Sequence, residues 1–317
     1  NDYRGVPDNL FRNNGDGTFT DVSGPAGIAA VAGPGMGMVC LDYDEDGDTD
    51  VFVGNDAAAN FLFQNDGRGR FTEVGLLAGV AYDGLGNANS SMGTDCGDFD
   101  NDGHLDLFMT DYSNEAPVLY RNLGQALFED ATNAAGAGSS AFPHVNWGNS
   151  LVDFDNDGDR DLFIACGHLL DNIHVIDDRT AFKVRNILLM NTGNKRFVDV
   201  SKRCGDGLEP VESSRGAGFD DLDNDGDVDA AVLNANAPPT ILRNETATGD
   251  SWLQVQLQGV KSNRDGVGAR VRVVAGDLVQ VAEVHSGRSY QSHFGSRLHF
   301  GLGKHRRADR IEVRWIG

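Results

Sequence analysis

Four copies of one nine-residue acidic pattern, D-x-D-x-D-G-x-x-D, are the residues of this sequence best suited to chemistry. They span residues 42–50, 98–106, 153–161 and 221–229 and are called loops 1 to 4. Carboxylates packed this densely repel one another unless a cation lies among them. The pattern favours Ca²⁺, which prefers about six to eight oxygen ligands, over Mg²⁺, which demands a stricter octahedron. No Cys or His pair has the spacing of a structural zinc site.

Each position of the pattern has an expected role around the ion. Positions 1, 3, 5 and 9 supply carboxylates, position 7 supplies a backbone carbonyl, and Gly at position 6 permits the sharp turn. The predicted carboxylate ligands are Asp42, Asp44, Asp46, Asp50, Asp98, Asp100, Asp102, Asp106, Asp153, Asp155, Asp157, Asp161, Asp221, Asp223, Asp225 and Asp229. The predicted carbonyl ligands are Asp48, His104, Asp159 and Asp227. The sequence therefore predicts four Ca²⁺ sites.

The residues that follow each loop separate two calcium-binding architectures. An EF-hand requires an acidic residue at position 12 and a helix on either side. Here position 12 is apolar, being Val53, Met109, Ile164 and Val232. Short apolar runs of strand-like length surround these residues. The loops are therefore expected to connect β-strands.

A second pattern, L-x-x-N-x-G-x-x-x-F, falls midway between the loops. Copies run from Leu10 to Phe19, Leu62 to Phe71, Leu119 to Phe128 and Leu189 to Phe197, with a worn copy at residues 242–244. Asn and Gly between apolar runs favour a hairpin turn. Each repeat of roughly 55 residues thus predicts four strands, the content of a β-propeller blade.

The predicted fold class is all-β, with two regions. Residues 1–248 form a partial β-propeller of four-stranded blades, and residues 249–317 form a small β module with several alternating strand patterns. The sequence begins just after a blade's second strand, so we expect further blades N-terminal to it. A small ring closed by residues 1–25 is the alternative. The module is expected to be incomplete at its C-terminus.

The two patterns together resemble FG-GAP/VCBS repeats, the blades of integrin-α-type propellers. Residues 259–270, 286–292 and 298–303 resemble the ASPIC/UnbV module, whose motifs are the more specific. The resemblance covers nearly the whole chain. It implies a Ca²⁺-binding adhesion propeller that is secreted, on the cell surface or in the periplasm, and we expect the early blades of the family to precede residue 1.

Composition narrows the classes of partner. The formal net charge is −22 and the pI is about 4.5, which argues against nucleic acid. No run of ~20 apolar residues could span a membrane. The hydrophobic content of 40% is sufficient for a sizeable core. The four cysteines leave both disulfides and free thiols open.

Three classes of function remain open. The first is a module that binds a protein or a glycan. The second is an extracellular polysaccharide lyase or hydrolase, with Tyr112, His144, His168 and His174 as candidate groups, although no catalytic spacing is present. The third is self-assembly into a filament or surface layer. An insertion at residues 167–185, which contains two of these histidines, could form a second metal site, a ligand-binding lip or a solvated loop.

Overall fold

β-Strands form nearly all of the regular structure in the computed structural model, which describes residues 4–316. The first two strands, β1 (Phe11–Asn13) and β2 (Phe19–Asp21), pair as an antiparallel hairpin. Because the hairpin carries the first L-x-x-N pattern, it corresponds to the third and fourth strands of a repeat.

Three four-stranded antiparallel sheets follow, and each keeps its strands in chain order. Sheet 1 contains β3 (Gly35–Leu41), β4 (Asp50–Asn55), β5 (Phe61–Asn65) and β6 (Phe71–Glu73). Sheet 2 contains β7 (Thr94–Gly97), β8 (Asp106–Met109), β9 (Val118–Asn122) and β10 (Phe128–Asp130). Sheet 3 contains β11 (Asn146–Val152), β12 (Asp161–Cys166), β13 (Ile187–Asn191) and β14 (Phe197–Asp199). Loops 1 to 3 connect the first two strands of these sheets, as the sequence predicted.

The fourth repeat departs from the prediction of four strands. Sheet 4 contains only β15 (Ser214–Asp220), β16 (Asp229–Asn234) and β17 (Thr240–Leu242) among residues 4–316. The expectation of a fourth strand was wrong here because the chain after Asn244 lacks the Gly turn and the Phe of the other repeats. The four sheets do not close into a ring within the part of the chain that the structure describes.

Short helical turns follow the last strand of three repeats. They are α1 (Ser23–Ala26), α2 (Gly75–Ala78) and α3 (Thr132–Ala135), and 3₁₀ turns cover Ile28–Ala30 and Ile173–Val175. None of the helices within residues 4–316 has the length and hydropathy that a membrane crossing requires.

The hydrophobic core lies between neighbouring sheets. Phe52 and Leu62 of sheet 1 pack with Leu107 and Tyr120 of sheet 2, and all four side chains are buried. Equivalent clusters join sheets 2 and 3 and sheets 3 and 4. The first strands β3, β7, β11 and β15 lie side by side. In sheets 2 and 3, which lie between neighbouring sheets, the second and third strands are buried on both faces along most of their length.

The C-terminal module forms two small sheets around its own core. In one, β18 (Ser251–Gln256) pairs with β21 (Arg297–Gly303), and in the other β19 (Arg270–Ala275) lies between β20 (Leu278–Glu283) and β22 (Arg310–Arg314). Val271 and Phe300 are fully buried in this core. Strand β21 was not predicted, although its alternation of Leu298, Phe300 and Leu302 was an available signal.

Candidate metal centre

All four loops turn in the same way. The glycines at position 6 have φ between 94° and 103°, a conformation that Gly adopts without steric cost. Position 4 is also left-handed, with φ of 54°, 63° and 61° at Asn101, Asn156 and Asn224 and 65° at Glu45. Asn tolerates this region better than most residues. The left-handed backbone at position 4 was not predicted from the sequence, although Asn at this position in three of the four copies indicates it.

Backbone N–H groups hold the loop carboxylates in place. At position 1, Oδ2 of Asp98, Asp153 and Asp221 accepts the N–H of the position 6 glycine at 2.9, 2.9 and 3.1 Å. At position 5, the carboxylate accepts the N–H of position 7 over 2.8–3.1 Å in all four loops. These bonds curl each loop around the space that its carboxylates share.

Position 9 joins each loop to the third strand of its sheet. Its Oδ1 accepts the backbone N–H of the Asn in the L-x-x-N pattern at 2.8 Å in every repeat, and the four donors are Asn65, Asn122, Asn191 and Asn244. Its Oδ2 accepts the N–H of position 2. The two sequence patterns are therefore two ends of one hydrogen-bond network.

The same Asn side chains bridge neighbouring sheets. Asn122 donates to the carbonyl of Tyr43 in loop 1 at 2.8 Å, and Asn191 donates to that of Phe99 in loop 2 at 2.8 Å. The position 4 Asn of one loop also donates to the position 7 Asp of the next loop. Asn101 donates to Asp159 at 2.7 Å, and Asn156 donates to Asp227 at 2.8 Å. Position 7 thus uses its side chain to link loops, a role that the sequence did not reveal.

Three carboxylates converge in each loop, with one oxygen of each within 4.8 Å of the others. The converging residues are Asp42, Asp44 and Asp50 in loop 1, Asp98, Asp100 and Asp106 in loop 2, Asp153, Asp155 and Asp161 in loop 3, and Asp221, Asp223 and Asp225 in loop 4. The structure thus brings together three of the four carboxylates predicted for each loop. The predicted carboxylate ligands outside these groups are Asp46, Asp102, Asp157 and Asp229.

These groups fit a hard divalent cation. The donors are all carboxylate oxygens, the ligand type that Ca²⁺ and Mg²⁺ take. Among the described residues, Oδ1 of Asp42, Asp153 and Asp155 is buried and has no hydrogen-bond partner. A buried charged oxygen without a partner costs free energy, which a bound cation would offset. Each of the four groups could therefore hold a metal ion.

Burial and mutual repulsion resist ionisation of these carboxyls. Burial raises the pKa of Asp50 and of Asp153 to about 8, that of Asp98 to about 7 and that of Asp155 to about 6. Neighbouring loop carboxylates add to the rise in each case. A cation held between the carboxylates favours their charged form and would reverse this shift.

The loops differ in the side chain that lies over position 3. It is the residue before the bridging Asn, and in sheets 1, 2 and 4 it is polar. Gln64 donates to Asp44 at 2.6 Å, Arg121 to Asp100 at 2.6 Å, and Arg243 pairs with Asp223 at 2.8 Å. In sheet 3 the residue is Met190, and no ion pair reaches a loop 3 carboxylate within residues 4–316.

The C-terminal module lies against the loops. Arg314 pairs with Asp42, Arg270 pairs with Glu45 of loop 1 at 2.6 Å, and Gln254 donates to Asp221 of loop 4 at 2.8 Å. His299 bonds to Asn156 of loop 3 at 2.7 Å. The mixed charge of the module was visible in the sequence, but its position over the loops was not.

A buried polar layer lies behind these contacts. Arg288 of the module forms a buried ion pair with Asp95 of β7. His285 lies between the carbonyl of Cys40 at 3.1 Å and the Sγ of Cys96 at 3.4 Å. All four cysteines are free, so of the two states that the sequence left open the structure has the thiols.

The proposed catalytic groups are only partly brought together. Tyr112 Oη and His168 Nε2 lie 3.2 Å apart, and His168 is buried. His144 is half-buried on another segment, and burial lowers its pKa. His174 is exposed in a 3₁₀ turn of the 167–185 insertion. Within residues 4–316, the convergent metal-ligating groups all belong to the four loops.

The fold and the site define an all-β repeat protein with acidic loops that could hold metal. The FG-GAP-like repeat family matches residues 3–53, 42–109 and 98–164, and the ASPIC and UnbV family matches residues 259–316. The chain therefore belongs to the FG-GAP-like repeat family and carries a C-terminal ASPIC/UnbV module.

Curated relatives share this combination. Cartilage acidic protein 1 of Homo sapiens is 26% identical over 307 residues, which cover 93% of this chain and 42% of that protein. The Mus musculus protein of the same name is 26% identical, with coverage of 93% and 44%. The protein of Xenopus tropicalis is 28% identical over 52% of this chain and 26% of its own length. The chain thus spans less than half the length of these relatives.

Two solved structures are more distant. An Agrocybe aegerita lectin, described as recognising non-reducing terminal N-acetylglucosamine, has a TM-score of 0.34 and 15% identity over 77% of this chain and 76% of that one. A Bacillus licheniformis rhamnogalacturonan lyase has a TM-score of 0.36 and 12% identity over 80% and 47%. At such TM-scores neither likeness bears on the ligand of this chain.

Proposed function

We propose that this chain is a calcium-stabilised extracellular binding module. Its repeats, over residues 1–248, hold one Ca²⁺ in each of the four acidic loops. Its C-terminal module, over residues 249–317, docks on those loops. Surfaces away from the loops bind a protein or glycan partner in an adhesion role.

Loop 3 carries the metal part of this proposal. Oδ1 of Asp153 and Oδ1 of Asp155 are buried without hydrogen-bond partners, and no Lys or Arg pairs with either residue among residues 4–316. The three converging carboxylates of this loop give a formal charge of −3 when ionised. A divalent cation would neutralise most of this charge and would coordinate the carboxylate oxygens that have no hydrogen-bond partner.

Titration of the chelator-treated protein tests the calcium sites. We expect isothermal titration calorimetry to detect Ca²⁺ binding at up to four sites, with much weaker binding of Mg²⁺. Asp155→Asn should remove one site, whereas Asp178→Asn, an exposed position in the insertion, should leave the stoichiometry unchanged. The calcium proposal would be rejected if no heat of binding were detected and the Tm were the same with and without Ca²⁺.

The binding role needs a separate measurement. The Ca²⁺-loaded chain would be immobilised and screened against glycan arrays and extracellular-matrix proteins, with the EDTA-treated chain as control. Retention of a partner in Ca²⁺ and its loss in EDTA supports an adhesion module stabilised by the loops. A chain that binds four Ca²⁺ but retains no partner in either condition would confine the proposal to its metal part.

A further inference from the structure

Within residues 4–316, the outer edge of sheet 4 is uncovered. In sheets 1 to 3 the third strand is covered by a fourth strand and the turn that follows it. Leu119 of β9, for example, donates its N–H to Thr132 Oγ1 at 2.9 Å and accepts the N–H of Ala131 at 2.8 Å. The equivalent residue of β17 is Ile241, and β17 is an edge strand in the described part of the chain. Its outward N–H and C=O are free to pair with another strand.

The fourth strand normally contributes a large aromatic side chain to the interface between sheets. Phe128, at the start of β10, stacks on Tyr43 of loop 1 with ring centroids 6.0 Å apart and an interplanar angle of 22°. Phe197, at the start of β14, stacks on Phe99 of loop 2 at 5.9 Å and 26°. Both rings are buried, so each complete interface contains one Phe from the fourth strand of the following sheet.

The third interface has the acceptor for such a ring but not the ring itself. Phe154 of loop 3 occupies the position of Tyr43 and Phe99, and beside it lies a cavity of about 300 Å³. Leu242 lines this cavity and is half-exposed, whereas its equivalents Tyr120 and Leu189 are buried. The cavity is large enough for a Phe ring, and its walls are mostly apolar, with Asp155 and Arg243 also in the lining.

Charge at the edge also matches the missing strand. In sheet 2, Glu129 of β10 lies opposite Arg121 in register, and their side chains approach to 3.4 Å. Arg243 occupies the same position in sheet 4. It lies 2.8 Å from Asp223 and 3.7 Å from Glu245, and its side chain is 59% exposed compared with 25% for Arg121. The third residue of every fourth strand in this chain is acidic, and these residues are Asp21, Glu73, Asp130 and Asp199.

We propose that the β17 edge and the adjoining cavity bind an extended peptide segment of the type Phe-acidic-acidic from a partner protein. The segment adds to sheet 4 as an antiparallel fourth strand. Its Phe stacks on Phe154 in the cavity, and its first acidic residue takes the place of Glu245 beside the exposed guanidinium of Arg243. Main-chain hydrogen bonds to Ile241 supply affinity, and the aromatic slot supplies specificity. This site rests on the proposed binding role and gives it a peptide class. Failure of the peptide to bind would leave the Ca²⁺ titration and the partner screen standing, so the two proposals can be told apart.

The test uses a peptide with the sequence of residues 126–137 of this chain, labelled for fluorescence anisotropy, and the full 317-residue chain in Ca²⁺. We expect saturable binding. A peptide with Ala in place of its Phe should bind at least about tenfold more weakly, because a buried aromatic anchor carries most of such an interface. Leu242→Glu, at the wall of the slot, should weaken binding of the original peptide by a similar factor.

Ile241→Pro should fold, because Pro is tolerated at sheet edges, but it removes the outward N–H and should therefore abolish peptide binding. Ile241→Val keeps the N–H and should not affect binding. Circular dichroism and the Ca²⁺-dependent rise in Tm verify that each variant is folded. No binding at about 1 mM peptide, or equal binding of the Ala peptide, would overturn the proposal. A dimer of the chain that binds no peptide would also overturn it. Light scattering would then show a concentration-dependent dimer that Leu242→Glu dissociates, and the occupant of the edge would be a second copy.

Discussion

Loops 2 and 3 have the same sequence pattern and backbone turn, but they differ in whether positively charged side chains contact their carboxylates. In loop 2, Asp100 is held by Arg121 at 2.6 Å and Lys195 at 2.7 Å, which lower its pKa despite the opposing effect of burial. In loop 3, the equivalent Asp155 has a buried oxygen without a partner, and burial raises its pKa to about 6. Loop 2 has its own side-chain cations, whereas no Lys or Arg pairs with a loop 3 carboxylate within residues 4–316, so the proposed Ca²⁺ would matter more to loop 3.

A single residue on the third strand accounts for much of this difference. Arg121 in sheet 2 and Met190 in sheet 3 stand at equivalent positions, directly before the bridging Asn. If the loops hold Ca²⁺ as proposed, substitution of this one residue would alter how strongly a repeat depends on the metal without any change in the loop itself.

Removal of Ca²⁺ should have the largest effect. One site held at 100-fold above its Kd stabilises the folded state by ~2.7 kcal/mol, so calorimetry should record a Tm lower by more than about 5 °C in EDTA. Hydrogen exchange in EDTA should increase more around loop 3 than around loop 2, because only loop 2 retains cationic partners. Equal increases in the two loops would contradict the comparison.

Position 9 should matter even without metal. Both oxygens of Asp161 accept backbone N–H groups, so Asp161→Ala leaves two donors unpaired and should cost ~2–4 kcal/mol of unfolding free energy in EDTA. Asp155→Ala in the same loop removes an unpaired charge and should cost almost nothing in EDTA. Urea denaturation of both variants measures the difference. Equal losses would mean that position 9 has no structural role of its own.

Acid should weaken docking of the C-terminal module over loop 3. Burial lowers the pKa of His299 to about 4, so the folded state resists protonation that the unfolded chain accepts below about 6.5. The stability that this group confers is complete above pH 6.5 and is lost as the pH falls towards 4, by ~2 kcal/mol at pH 5. In excess Ca²⁺, His299→Gln should therefore lose less Tm between pH 7 and pH 5 than the unmodified chain. An equal loss would exclude His299 as the titrating group.

Substitution of Met190 or Arg121 on the third strands should have the smallest effect on stability. Met190→Arg should place a guanidinium over Asp155 and raise the free energy of unfolding in EDTA, whereas Arg121→Met should lower it, each by ~1 kcal/mol or less in urea denaturation. Met190→Leu is the matched control, because it keeps the side chain apolar. In Ca²⁺ the gain from Met190→Arg should shrink or reverse, since the cation and the guanidinium compete for one carboxylate. A gain of equal size in both conditions would argue against this competition.

The sequence by itself determined the local rules of this protein. The spacing of Asp42, Asp44 and Gly47 and its three repetitions predicted acidic turns between strands, because a left-handed Gly and clustered carboxylates act over a few residues. The Asn of L-x-x-N predicted the hairpins for the same reason. Three complete sheets follow these rules, and the fourth repeat fails where its Gly and Phe are missing.

Only the tertiary structure decided which partners the carboxylates meet. Asp42 faces Arg314 from 272 residues away, and His299 reaches Asn156 across 143 residues, pairings that no local pattern encodes. The stacking of sheets decided that Phe154 borders a vacant slot whereas Phe99 is covered by Phe197. Short-range preferences fix the turns and strands, but burial and long-range charge depend on how the sheets and the C-terminal module assemble.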